Sequence, residues 1–287
     1  MKRNLSMNED SSVRAIDNIR NFSKPELGRV TGQDGIARDA LVYGFPKRFE
    51  LDYLQGDEVE GFEGTCALTS VANLLTQSGK PTTEGDVIRR AIDNQWAVTD
   101  PNLPSWQRGG SNANEQLQLL KSYGLRADLL AGYNETGIAN LVRSGRGVIV
   151  AVDAGVIWES TQYETGQVNH AVTLTGVVYA ESDGALLGFY VTDSGRAKVS
   201  DMTRFIPADL FREAANVPGA YALYTIEPVK LWDENIDGTG NDGANHITGN
   251  RGDNVLAGMA GNDTLVGLKS RCRGDGDCAN GDWRWAA

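Results

Sequence analysis

Gly64-Thr65-Cys66-Ala67-Leu68-Thr69-Ser70-Val71-Ala72-Asn73-Leu74-Leu75 is a turn of small residues running straight into an apolar helix. Ala67, Leu68, Val71, Ala72, Leu74 and Leu75 recur at helical spacing on one face. Gly79-Lys80-Pro81 stops the helix. Cys66 therefore falls in the first turn, where the helix dipole favours negative charge. Further along, Asn169-His170-Ala171-Val172-Thr173-Leu174-Thr175-Gly176 heads a strand, and Phe189-Tyr190-Val191-Thr192-Asp193-Ser194-Gly195 ends one with a carboxylate. The chain has only two histidines and three cysteines, so few residues compete for these positions. Helices that precede strands predict an α+β fold with a mostly antiparallel sheet.

The order Cys66, His170, Asp193 is that of a nucleophile, a base and an orienting carboxylate. A thiol attacks only as thiolate, and a free cysteine with a pKa of about 8.5 is mostly protonated at neutral pH. A helix N-terminus and a neighbouring imidazolium both lower that value. Asp193 would accept from the second ring nitrogen and fix the tautomer. Asp153, also at the end of an apolar run, is the alternative carboxylate. An acyl-transfer site needs donors for an oxyanion. The backbone N–H of Cys66 is one; the side-chain amide of Gln55, in Leu54-Gln55-Gly56, is a second if the loop over residues 56–64 folds back.

Working outward, residues 1–45 read as a polar extension with one short helix near 12–22, and a globular module spans 46–232. Further helices are expected from Thr83, over 113–123, over 136–143 and over 207–215. Strands are expected over 147–153, 171–178, 186–192 and 220–226. From residue 233 the composition turns to Gly, Asn and Asp. Gly240, Gly249, Gly258 and Gly267 recur every nine residues, with Gly243, Gly252 and Gly261 in phase, then Asn245, Asn254 and Asp263, then Ile247, Leu256 and Leu265. His246 reads as a turn residue. Residues 269–287 read as an irregular tail, in which Cys272 and Cys278 could pair across a short loop.

The 287 residues carry a net charge of −11, which argues against nucleic acid or an anionic membrane as partner. Three cysteines make no disulfide framework. No stretch of about 18 apolar residues predicts a membrane span, and the polar first 21 residues do not read as a cleaved export signal.

Gln55, the stretch from Gly64 to Ala72, Asn169-His170-Ala171-Val172 and Val191-Thr192-Asp193-Ser194 resemble the papain-like superfamily, in particular the double-glycine (bacteriocin-leader) peptidases and their looser relatives. The resemblance covers about 49–232. It implies a papain-like fold, with a helical part carrying the cysteine and an antiparallel sheet carrying His and Asp. It also implies a peptide-bond hydrolase with Cys66 as nucleophile, His170 as base, Asp193 as orienter and Gln55 in the oxyanion hole, needing no cofactor for catalysis. The spacing from Gln55 to Cys66 is longer than the usual tight one, and no transporter segment is attached. The substrate, a peptide or protein, does not carry over.

The nine-residue units over 233–268 resemble RTX (repeats-in-toxin) calcium-binding repeats, which implies a short parallel β-roll and structural Ca2+. Glycines make the turns, carbonyls and acidic side chains ligate the ion, and the apolar residue fills the roll. The candidate ligands are Asp242, Asn245, Asp253, Asn254, Asn262 and Asp263. RTX repeats usually accompany type I secretion, so an extracellular location is expected, with a cytoplasmic one as the alternative. A papain-like acyltransferase or amidase, such as a γ-glutamyl transferase, and a catalytically silent calcium-dependent binding module are the rival functions.

Overall fold

Two units make up the chain, Met1–Val229 and Lys230–Ala287. The computed structural model describes residues 16–19, 22, 25–44, 46, 54–80, 82–195 and 203–229, and five short strands between 238 and 284. The first unit runs β1 (Glu26–Thr31), β2 (Ala37–Gly44), α1 (Cys66–Gln77), α2 (Glu84–Asp93), α3 (Ala113–Ser122), β3 (Ala127–Ala131), α4 (Glu135–Arg143), β4 (Val148–Val152), α5 (Ala154–Ile157), β5 (His170–Ala180), β6 (Leu186–Thr192), β7 (Thr203–Pro207), α6 (Ala208–Ala215) and β8 (Tyr221–Thr225).

All eight strands form one antiparallel sheet built around β5. One edge of β5 pairs with β6, which pairs in turn with β7. The other edge is shared: His170–Leu174 pairs with β4, and Gly176–Ala180 with β2. From β4 the sheet continues to β8 and β3, and from β2 to β1. Thr175 bulges out of the ladder between Leu174 and Gly176, at the point where the partner changes. Gly44 lies against this bulge with φ +108°; a Cβ there would come 2.4 Å from the Thr175 carbonyl oxygen, so the site requires glycine.

Helices cover both faces. Leu68, Val71, Leu74 and Leu75 of α1, with Val87 and Ile88 of α2 and Leu119 and Leu120 of α3, pack on Ile149, Ala171 and Leu223. Ile138, Leu141 and Val142 of α4 and Phe211 of α6 pack on Val148, Val150, Val172 and Ala222. Adjacent residues of one strand thus feed opposite cores. This is why Val148–Val152 reads as an unbroken apolar run: every residue of it is buried.

The expected polar extension over 1–45 is corrected by this sheet. Glu26–Gly44 is a hairpin, closed by a turn in which Asp34 Oδ1 accepts from Ile36 N at 3.0 Å. Val30, Ala40 and Val42 bury their side chains against Val178, while Arg29 and Asp39 stay in solvent. The expected helix near 12–22 lies mostly outside the described residues. Strand β7 was also not anticipated.

In the second unit, β9 (Gly238–Thr239) pairs parallel with β11 (Leu256–Ala257), and β10 (His246–Thr248) with β12 (Thr264–Val266). Both pairs are offset by 18 residues, Gly238 to Leu256 and His246 to Thr264, so alternate nine-residue units align. His246 begins a strand and is not a turn residue. β13 (Trp283–Arg284) pairs antiparallel with β12, so the expected irregular tail contains an ordered segment.

Candidate active site

Cys66 is the first residue of α1 and is half-buried. The helices α2, α3, α4 and α5 each receive a side-chain cap, from Thr83, Asn112, Asn134 and Asp153. α1 does not: the Thr65 hydroxyl accepts from Gly56 N at 3.0 Å instead. The first N–H groups of α1 therefore remain directed at whatever occupies the space before Cys66.

His170 opens β5 and is 4% exposed. Its Nε2 lies 2.7 Å from Asp193 Oδ1, which leaves Nδ1 for Cys66, whose thiol shares a cleft with the ring and interacts with it electrostatically. Asp193 is fully buried where β6 ends. Its Oδ2 accepts from Trp158 Nε1 at 2.7 Å and its Oδ1 from Gly195 N at 3.0 Å. The Trp158 ring lies 5.2 Å from the imidazole, centroid to centroid. A Cβ at Gly195 would come 2.5 Å from the Trp158 ring, so glycine is what lets indole, imidazole and carboxylate close on one another.

Burial alone would push the Cys66 thiol up; the His170 charge, its hydrogen bond and the backbone at Ala171 and Ala67 outweigh this and lower its pKa. Burial would likewise lower His170, but Asp193 and Cys66 together raise it. Asp193, opposed by burial, is held down to about 2 by His170, Trp158 and Gly195. All three directions favour a thiolate, an imidazolium and a carboxylate in one line.

Gln55 is brought to the same place despite its distance in sequence. The loop after it folds back, so that Gln55 Nε2 donates to Glu63 O at 3.2 Å while Gly56 is tied to Thr65. Ser194 holds it from the other side: Gln55 N donates to Ser194 O at 3.1 Å, and Ser194 Oγ donates to Gln55 Oε1 at 3.3 Å. Gln55, Cys66 and His170 line one cleft of about 750 Å3, with Trp106, Tyr163 and Tyr221 on its walls.

Asp153 does not reach His170. Its carboxylate is fully buried and accepts from Gly155 N, Thr165 N and Gly166 N at 2.6–3.0 Å, with Asn169 Nδ2 at 3.5 Å. It holds the loop that carries Trp158. Trp158 and Ser194 had no role assigned from sequence. The six candidate calcium ligands, and Cys272 and Cys278, lie outside the described residues. Among the described residues no cluster of three His, Cys, Asp or Glu side chains could hold a metal, and no helix is long and apolar enough to cross a membrane.

Residues 51–222, more than half the chain, match the model of the peptidase C39-like family. Residues 239–269 match that of the RTX calcium-binding nonapeptide repeat. A crystal structure described as that of a C39-like peptidase from Bacillus anthracis is similar at 17% identity and a TM-score of 0.43, covering 63% of this chain and 97% of the other. No curated protein sequence matches the chain.

Proposed function

Since the chain belongs to the peptidase C39-like family, we propose that its first unit is a cysteine peptidase working through Cys66, His170 and Asp193. The observation that carries the reading is the buried 2.7 Å hydrogen bond of His170 to Asp193, on a cleft that the Cys66 thiol also lines. In the first step the Cys66 thiolate attacks the substrate carbonyl carbon, and the oxygen takes the negative charge. The Cys66 N–H and the Gln55 amide stabilise that oxyanion. The C–N bond then breaks, and the leaving amine takes its proton from the His170 imidazolium. This leaves a thioester on Cys66. A water gives a proton to His170 and its oxygen to the acyl carbon; the carboxylic acid leaves and the thiolate returns. Asp193 keeps the ring oriented and stabilises its charged form.

The second unit is a short calcium-stabilised β-roll. The 18-residue offset of its parallel strands supports this, because two nine-residue units make one turn of such a roll. Asp242, Asn245, Asp253, Asn254, Asn262 and Asp263 would hold the ions, which neutralise carboxylates otherwise crowded at the turns. The repeats also support secretion, into surroundings where calcium is plentiful.

The test is the pH dependence of Cys66 alkylation by iodoacetamide, read by peptide mass spectrometry in wild type and His170→Ala. Rapid labelling well below pH 8 that disappears in the variant is expected. Slow labelling, rising only near the pKa of a free thiol and alike in both proteins, would make Cys66 inert and end the reading.

A further inference from the structure

Two cavities meet at Tyr221. One is the cleft containing Cys66 and His170. The other, of about 630 Å3, is lined by Asn112, Asn114, Gln167 and Pro218 among others, and none of its lining residues is charged. Ser111, Val168 and Tyr221 line both. In the sheet, β6 leads into Asp193 on one side of β5, while β4 and then β8, which opens with Tyr221, lie on the other. Trp158, bonded to Asp193, marks the first flank of His170. The cleft thus has two arms, one toward Trp158 and one past Tyr221.

Fully buried Gln116 donates through Nε2 to Ser111 O at 3.0 Å, and the same nitrogen lies 2.6 Å from the Tyr221 hydroxyl oxygen. A carbonyl oxygen only accepts, so the atom facing Ser111 must be the amide nitrogen, and that nitrogen can only donate to Tyr221. The phenol oxygen is therefore an acceptor toward Gln116, and its own proton points elsewhere. Burial, opposed by the Gln116 bond and reinforced by the Cys66 charge, pushes the phenol up to about 12. The group thus keeps its proton at any pH at which the thiolate works. Next to it, the buried Ser111 hydroxyl has no hydrogen-bond partner.

We propose that the Tyr221 hydroxyl is a substrate-binding donor, giving its proton to a main-chain carbonyl on the acyl side of the scissile bond where the substrate passes into the second cavity. The leaving amine then occupies the arm toward Trp158 and the acyl part the arm past Tyr221. The substrate class is then a polypeptide with uncharged residues upstream of the cut. Gln116 acts through Tyr221 as a positioning residue.

This rests on the peptidase reading, and the experiment separates the two. Cys66 is inactivated in wild type and Tyr221→Phe by two reagents, iodoacetamide, which needs no substrate contacts, and a benzyloxycarbonyl-dialanyl chloromethyl ketone, which carries acyl-side carbonyls. The ratio of the peptidyl rate constant to the iodoacetamide rate constant is expected to fall about three- to tenfold in Tyr221→Phe, the worth of one neutral hydrogen bond. The loss should lie in the saturation constant and not in the limiting rate. An equal ratio in both proteins overturns the proposal while leaving the peptidase intact. Iodoacetamide labelling that does not depend on His170 would instead remove the peptidase reading, and this one with it.

Discussion

At the scale of single residues, scarcity made the candidate site legible. With one histidine before residue 230, the pairing of Cys66 with His170 had little competition, and the strand-end carboxylate followed. Trp158 and Ser194 were not legible. Their contacts span 35 and 139 residues, to Asp193 and Gln55, and no local pattern encodes a partner that folding alone brings near. Asp193→Ala should retain some hydrolysis, measured as kcat/KM, whereas Cys66→Ala and His170→Ala should abolish it without changing the circular dichroism spectrum. Glu84 makes a separate case. The Thr69 hydroxyl, which also lies 2.9 Å from Thr65 O, donates to the buried Glu84 carboxyl. Burial first, then the nearby charges of Glu58 and Asp57, raise Glu84 to about 7, against the Thr69 bond. Its folded value lies above its ordinary 4.5. The stability it contributes is therefore fully present below about pH 4.5 and is lost as pH rises through about 7. Urea unfolding of wild type and Glu84→Gln across that window should diverge by about 2–3 kcal/mol, with the variant gaining toward alkaline pH. Parallel curves would mean that Glu84 is already charged.

Among the elements, the longer helices were readable because each repeats its apolar residues at one period and most begin with a capping residue, whereas the four-residue α5 is too short to show a period. Asn112→Ala should cost about 1 kcal/mol by removing the side-chain acceptor that caps Asn114 N and Glu115 N at the start of α3. The hairpin β1–β2 was not readable. Its outward residues include Arg29 and Asp39, and Val30, Ala40 and Val42 become a buried face only once β2 lies on β5. The point where they join is sensitive. Gly44→Ala combines a positive φ with a Cβ driven into the Thr175 carbonyl, and should destabilise the first unit by at least about 2 kcal/mol in denaturant titration. A neutral result would mean that the bulge at Thr175 relaxes freely.

Across the whole molecule, the change of composition near residue 233 marked the division into two units, because a packed module and a glycine-rich repeat cannot share one pattern. What the sequence left open was the sheet order, since nothing local says that one strand will serve three partners. Calcium should act on the second unit. Millimolar-range Ca2+ is expected to raise the β-structure signal in circular dichroism, and Asp263→Ala to weaken that response; an unchanged spectrum would remove the roll. The shared edge of β5 has a consequence in time. His170 heads the strand that β2, β4 and β6 all hold, so that strand can come free only when the sheet itself opens. The amide hydrogens of Val172 and Val177 should be among the last to exchange with deuterium. Gln55, tethered by a few loop hydrogen bonds, should exchange far sooner. In rising denaturant the loop of Gln55 would loosen first, and the neighbourhood of Cys66 and His170 would last until global unfolding.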